Sequence, residues 1–212
     1  MGHDDKIATF SSFYQVSRET IISLKNYEDL LIKENINLNL IGKSTINEIW
    51  TRHFLDSFQV IDFIDKNDKT IVDLGSGAGF PGLVLAIAAK DKKIPLKIKL
   101  MEKSPKKAKF LKNLITELKL DAQVFNQNVL EEKNKFKDDV FVARAFKPLK
   151  VILELMHSKA ENFKKIFVFL GKSGKSELLQ ASKNWDIQYK QRVSITNSDS
   201  MVIEINNLKK IN

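Results

Sequence analysis

The sequence predicts an α/β protein: an open, mostly parallel sheet flanked by helices and preceded by a helical extension. Three observations predict it. From residue 66 onward, short aliphatic runs alternate with stretches of helical periodicity; a glycine-rich turn follows the first run directly; and the last two runs face each other across a polar turn. Strand and helix alternating at this spacing imply parallel strands joined by crossover helices. A chain of 212 residues fits a single domain with an extension. The expected division is residues 1–65 for the helical extension and residues 66–212 for the sheet domain.

In the extension, Phe10, Phe13, Val16, Thr20, Leu24, Tyr27, Leu30 and Leu31 recur at three- and four-residue intervals, so the spacing predicts an amphipathic helix over 10–34. A second helical stretch is predicted from Thr45 to Phe63, with Ile49, Trp50, Phe54, Leu55, Phe58 and Ile61 on one broad face. Predicted strands follow at Thr70–Leu74, Leu96–Met101, Ala122–Asn126, Val140–Ala143 and Ile166–Leu170. Helices are predicted between them at Gly82–Lys90, Pro105–Leu118, Leu149–Phe163 and Ser176–Asn184. Ser104-Pro105 is a start signal, with serine as cap and proline in the first turn. The chain ends on a predicted antiparallel hairpin, Ile187–Ile195 and Met201–Ile205, joined through Thr196-Asn197-Ser198-Asp199. Dinucleotide-binding dehydrogenase domains seldom finish that way. Class I methyltransferases, with a Rossmann-like sheet, usually do.

Composition narrows the chemistry. The absence of cysteine removes disulfides, thiolate nucleophiles and sulfur-ligated zinc, and three histidines (His3, His53, His157) leave little for any metal site. The longest apolar run, Leu83–Ala89, is far short of a membrane span, and the N-terminus has Asp4 and Asp5 instead of a secretory signal. A cytoplasmic, metal-independent protein with no membrane partner is expected. Its net charge of +9 is uneven: residues 1–65 carry 6 basic against 10 acidic side chains, whereas Lys90–Lys119 alone holds 11 lysines and 3 acids. That asymmetry suits a polyanion such as RNA, and equally a solvated lysine-rich surface.

The sharpest signal is Ile71-Val72-Asp73-Leu74-Gly75-Ser76-Gly77-Ala78-Gly79-Phe80-Pro81-Gly82. A buried strand enters a turn whose glycines allow close backbone approach, and the following helix start offers free amides to an anion. Read from Gly77, the segment matches a dinucleotide fingerprint; read from Asp73, it is the Asp-x-Gly-x-Gly-x-Gly pattern of S-adenosylmethionine (SAM) sites. The acid decides for SAM, because a carboxylate can engage the methionine ammonium directly or through water but has no use beside a pyrophosphate. Glu102, ending the next strand, is placed to accept both ribose hydroxyls of either cofactor. Gly171-Lys172-Ser173-Gly174-Lys175-Ser176 resembles a phosphate loop but has Phe169 where its first glycine belongs.

Taken together, Asp73–Gly82 with its Phe-Pro-Gly ending, Arg52-His53-Phe54-Leu55-Asp56-Ser57, Asn39-Leu40, Ala143-Arg144-Ala145-Phe146 and Leu170-Gly171-Lys172 resemble the bacterial 16S ribosomal RNA guanine-N7 methyltransferases, the glucose-inhibited division protein B family. The matches run in order over roughly residues 35 to 185. The resemblance implies SAM as cofactor, contacted by Gly75 and Phe80, with Asn128, Val129 and Leu130 flanking the adenine; Asp73, Gly77, Gly79 and Glu102 join the cofactor site from the loop pattern and the strand end. It implies that Arg144 lines both the cofactor and target pockets as the catalytic side chain. Arg52, His53, Lys106, Lys107 and Lys172 would meet RNA. Many members carry an acid where Leu130 aligns; here Glu131 stands one position later. From the residues alone, Arg52 and Asp56 could instead form an ion pair four apart on a helix. Asp56 and Ser57 could brace the extension against the sheet.

The implied reaction is methylation of guanine N7 in 16S RNA or the small ribosomal subunit by a monomer. Two other readings stay in view: an NAD(P)-binding oxidoreductase, which selective nicotinamide binding would mark, and a non-catalytic RNA-binding assembly factor.

Overall fold

The computed structural model describes residues 2–211. Seven strands form one sheet in the order β3-β2-β1-β4-β5-β7-β6. β1 (Thr70–Leu74), β2 (Lys97–Met101), β3 (Ala122–Phe125), β4 (Val140–Arg144) and β5 (Lys165–Leu170) are parallel, and β7 (Asn197–Lys210) pairs antiparallel with both β5 and β6 (Trp185–Ser194). The order reverses between β1 and β4, and ligand crevices of open α/β sheets lie at such a switch point, beyond the carboxyl ends of the strands. An antiparallel β7 inserted between β5 and β6 departs from the all-parallel dinucleotide arrangement, which removes the structural basis for the oxidoreductase reading.

Helices α4 (Gly82–Asp91) and α5 (Pro105–Leu118) cover one face of the sheet; α6 (Leu149–Lys159) and α7 (Gly174–Ala181) cover the other. The Ser104 side chain accepts from the Lys107 amide and Pro105 opens α5, as its start signal predicts. The hairpin differs from expectation in its turn. β7 already begins at Asn197 and runs 14 residues, because its central part is buried between two neighbours and gains a partner on each side.

The N-terminal segment is helical but not in the predicted units. The stretch 10–34 is two helices, α1 (His3–Phe13) and α2 (Arg18–Leu38). The break has a local cause: Tyr14 is extended, the Ser17 hydroxyl accepts from the Thr20 amide at 3.2 Å, and the Ser17 amide donates to Asp91 Oδ1 at 2.9 Å. The stretch 45–63 is a continuous helical path of mixed winding: a 3₁₀ turn (Lys43–Glu48), a π-helix (Ile49–Leu55), the short α3 (Asp56–Phe58) and a second 3₁₀ turn (Gln59–Phe63). Phe10, Leu24, Tyr27, Leu31, Trp50, Phe54 and Phe58 from these elements are fully buried and share one core with α4 and α5. Each such side chain contributes about 1.5–3 kcal/mol on leaving water. The Trp50 indole also donates to Glu28 at 2.7 Å, so its buried N–H is satisfied. The extension is thereby anchored directly beside the carboxyl ends of the strands.

Candidate active site

A crevice of about 520 Å³ opens at the carboxyl ends of β1, β2, β3 and β4. Its floor is the glycine loop. Gly75, Gly77 and Gly79 all have positive φ, and a Cβ on Gly75 would lie 2.3 Å from the Phe146 ring, so the chain here must be glycine. The amides expected to be free at the helix start are instead used within the fold: Gly77 donates to Glu102, Gly79 to the Ser76 carbonyl, Gly82 to Asp73 and Leu83 to the Gly79 carbonyl.

Glu102 is buried, yet each oxygen carries a single backbone bond: Oε2 accepts from the Gly77 amide at 2.8 Å and Oε1 from the Ser104 amide at 2.7 Å. A carboxylate has about four acceptor positions, so two stay available for a vicinal diol. Asn128, Val129 and Leu130 line the far end. Glu131 turns away from it and its carboxylate accepts from the Asn128 side chain at 2.6 Å, which leaves Leu130 as an apolar wall.

Asp73 sits beneath the loop instead of in the crevice. It is fully buried, and its Oδ2 accepts from the Gly82 amide at 3.0 Å, capping α4 from below. Its Oδ1 has no hydrogen-bond partner. Burial pushes its pKa up to about 7. The sequence expects Asp73 to engage a methionine ammonium directly or through water; it does not line the crevice, and it supports the loop from below. Gly79 is also below the surface; a Cβ there would meet the Tyr27 hydroxyl at 2.4 Å.

The loop is clamped by the extension. Tyr27 donates to the Ala78 carbonyl at 2.6 Å and stacks on Phe80 at 5.5 Å between centroids. His53 stacks on Phe80 at 4.8 Å, nearly parallel, so three rings from three elements form one column. Neither the ring column nor the role of Tyr27 is visible in the sequence, since both depend on long-range packing.

Arg144 ends β4 and is gripped from several sides. Its Nε lies 3.3 Å from Asp56 Oδ2; its terminal nitrogens donate to Ser57 Oγ at 3.4 Å, the Arg52 carbonyl at 2.5 Å and His53 Nδ1 at 3.1 Å. A guanidinium can only donate, so His53 Nδ1 must be an acceptor and Nε2 carries the proton toward Thr45 Oγ1 at 3.0 Å. Burial, followed by the charges of Arg144 and Arg52, pushes the His53 pKa down to about 3. Asp56 pairs with Arg144, not Arg52, and its other oxygen accepts from Ser194 at 2.7 Å and Gln59 at 2.9 Å. Asp56 thus does brace the extension against the sheet.

The remaining basic candidates are scattered. Lys107 lines the crevice and donates to the Asn39 carbonyl at 3.4 Å, while Lys106 is exposed on α5 outside it. Lys172 is exposed and faces Asp199, near the start of β7, at 3.5 Å. Arg52 is exposed and lines a second cavity beyond Arg144.

The family model for rRNA small subunit methyltransferase G matches residues 20–205. The chain belongs to that family. Among relatives of the methyltransferase G family, the Ribosomal RNA small subunit methyltransferase G of Pelagibacter ubique (strain HTCC1062) is 40% identical over 199 residues, 93% of each chain. That of Rickettsia akari (strain Hartford) is 34% identical over 197 residues, 93% of this chain and 99% of the other. Among solved structures, the 16S rRNA methylase RmtB superposes with a TM-score of 0.55 at 15% identity, covering 91% of this chain and 76% of that one. M. capricolum TrmK, solved with S-adenosyl-homocysteine, gives a TM-score of 0.52 at 20% identity, covering 71% of this chain and 66% of that one. These likenesses show that the methyltransferase G chain has the class I SAM-dependent methyltransferase fold.

Proposed function

We propose that this chain transfers a methyl group from SAM to N7 of a guanine in 16S ribosomal RNA of the small subunit, acting as a cytoplasmic monomer. Membership of the methyltransferase G family supports the reaction and the RNA. The crevice supports the cofactor: Glu102 offers two free acceptor positions for the ribose, and Asn128–Leu130 a slot for the adenine. No helix of the described residues is long and apolar enough to cross a membrane.

The state of His53 carries the choice of atom. A general base needs a free lone pair and a pKa near the working pH. His53 has neither, because Nδ1 accepts from Arg144, Nε2 donates to Thr45 and burial holds its pKa at about 3. A nitrogen that keeps a proton until attack would be poorly served here. Guanine N7 needs no base, since its lone pair is free. SAM, when bound, supplies a methyl on a sulfonium: the S–C bond breaks as the N7–C bond forms, and the sulfur keeps the electron pair. This chain's residues hold the partners in line, an alignment worth several kcal/mol when well kept. Arg144, fixed by Asp56 and Ser57, orients what meets it on the crevice wall.

The experiment is methyl transfer from labelled SAM to small subunits and to protein-free RNA from cells lacking this gene, followed by digestion to nucleosides. Labelled 7-methylguanosine is expected. Label in any other nucleoside would overturn the N7 assignment, and no label despite measured SAM binding would favour the non-catalytic alternative.

A further inference from the structure

A second cavity, of about 650 Å³, lies on the other side of Arg144. Its walls come from the 3₁₀ and π-helical segment (Glu48, Thr51, Arg52) with Asp56 of α3, and from Thr196 and the start of β7 (Asn197, Ser198, Ser200). Arg144 is the residue its lining shares with the cofactor crevice. Two facts set it apart from an ordinary surface hollow. Its lining is entirely polar, and its volume falls within the roughly 300–1,000 Å³ of small-ligand sites. In addition, both walls are tied to one carboxylate: Asp56 holds Arg144 through Oδ2 and the turn through Oδ1, by way of Ser194 at 2.7 Å and Thr196 at 3.3 Å.

Methyl transfer requires the nucleophile within about 3–3.5 Å of the methyl carbon, so the acceptor site must adjoin the cofactor crevice. The second cavity adjoins it at Arg144. We propose that this cavity is the acceptor subsite, taking the extruded target guanosine nucleotide, with Glu48 and the Ser198 and Ser200 hydroxyls at the start of β7 reading the base and Arg52 holding a flanking phosphate. The proposal rests on the N7 methyl-transfer reading and deepens it. A guanine attacked at N7 presents its opposite edge to the reader, and that edge carries the N1–H and N2–H donors. Donors call for an acceptor. Glu48 supplies a carboxylate whose Oε2 takes one bond from Thr51 at 2.9 Å and whose Oε1 has only Lys6 at 3.9 Å, leaving acceptor positions open. No aromatic ring lines the cavity, so the planar partners for the base are the Arg52 and Arg144 guanidiniums. Among the described residues no carboxylate pairs with Arg52, which leaves its charge to an incoming phosphate.

The test uses the full chain, Glu48→Gln and the double variant Ser198→Ala/Ser200→Ala. SAM affinity is measured by calorimetry, and kcat/KM is measured on small subunits from cells lacking the gene. For Glu48→Gln we expect a SAM Kd within about twofold of the parent and kcat/KM down roughly tenfold, the scale of one charged hydrogen bond. The double serine variant should lose a smaller factor, again without a change in SAM affinity. Small subunits carrying inosine at the target, which lacks the N2 amine, should slow the parent, whereas Glu48→Gln should show little further loss. Unchanged kcat/KM in both variants would overturn the subsite while leaving the reaction intact. A parallel loss of SAM affinity would also overturn it, by assigning these residues to the cofactor crevice. If the parent protein itself places no label on subunits, the methyl-transfer reading fails and the subsite falls with it.

Discussion

The two ends of the sheet treat buried charge in opposite ways. At the amino ends of β1, β4 and β5, acids and lysines are matched: Lys165 meets Asp65 at 2.5 Å and Asp68 at 3.2 Å, Lys164 meets Asp139 at 2.8 Å, and Lys99 meets Asp138 at 2.8 Å. Hydrogen bonding to Lys165 holds the Asp65 carboxyl below its ordinary value. At the carboxyl ends one pair, Arg144 with Asp56 at 3.3 Å, stands among groups left poised. Asp73 Oδ1 faces no partner, His53 is kept neutral, and Arg144 is shared between two cavities. Pairing stabilises the fold and leaves little chemistry; the poised groups cost stability and create a site.

That contrast is most severely tested by breaking one charge at each end. Lys165→Ala removes one cation from the buried Asp68, which keeps Lys164 at 3.5 Å and the Asp65 amide, whereas Arg144→Ala leaves the buried Asp56 without its cation. Arg144→Ala should lower unfolding free energy by about 3–5 kcal/mol in denaturant titrations, and Lys165→Ala by less. They should part company in activity. The folded fraction of Lys165→Ala should keep its kcat/KM, while Arg144→Ala should lose at least about 100-fold, or 2.7 kcal/mol of transition-state stabilisation. Comparable activity losses in both would erase the distinction between the two ends.

A smaller effect is expected where the extension clamps the loop. Tyr27→Phe removes the bond to the Ala78 carbonyl and keeps the ring stack, so stability should drop by about 1 kcal/mol and SAM should bind several-fold more weakly. Gly79→Ala should be more harmful, because its φ of +102° is strained for alanine and the new Cβ meets the Tyr27 hydroxyl. Combining it with Tyr27→Phe should recover part of the SAM affinity. Additive losses, measured by calorimetry, would mean that the hydroxyl does not set the loop's position.

The same contrast explains what the sequence could disclose. β1 and α5 are legible to the residue, since Thr70–Leu74 is a buried aliphatic run and Ser104-Pro105 marks a helix start by local chemistry. Arg144 and Glu102 are legible because strand ends at a switch point are where ligands meet side chains. The break between α1 and α2 is hidden, because Ser17 needs Asp91, 74 residues away, to fix it. The partner of Asp56 is hidden likewise: spacing on a helix suggests Arg52, whereas the π-helical winding turns Arg52 outward and aims its carbonyl at Arg144. The depth of Asp73 is hidden too, because a motif records the order of residues and not which of them lies beneath the loop.

The finest effect concerns pH, and it arises because two poised groups oppose each other. Asp73 has its pKa raised from 3.8 to about 7 in the folded protein, so folding takes up a proton across that range. Its contribution to stability is fully present below 3.8 and is lost as pH rises toward 7. His53 has its pKa lowered from 6.5 to about 3, so unfolding takes up the proton. Its contribution is fully present above 6.5 and is lost as pH falls toward 3. Each alone would give a slope of about 1.4 kcal/mol per pH unit, with opposite signs. Between pH 4.5 and 6 they should nearly cancel, and Asp65 and Asp139, held below 3.8, add little there. Thermal denaturation of the parent should therefore be almost flat over that window. Asp73→Asn should expose the His53 slope, with stability rising as pH rises, and His53→Gln should expose the opposite one. Parallel curves for all three proteins would mean that neither group is held as poised as the contrast between the two ends requires.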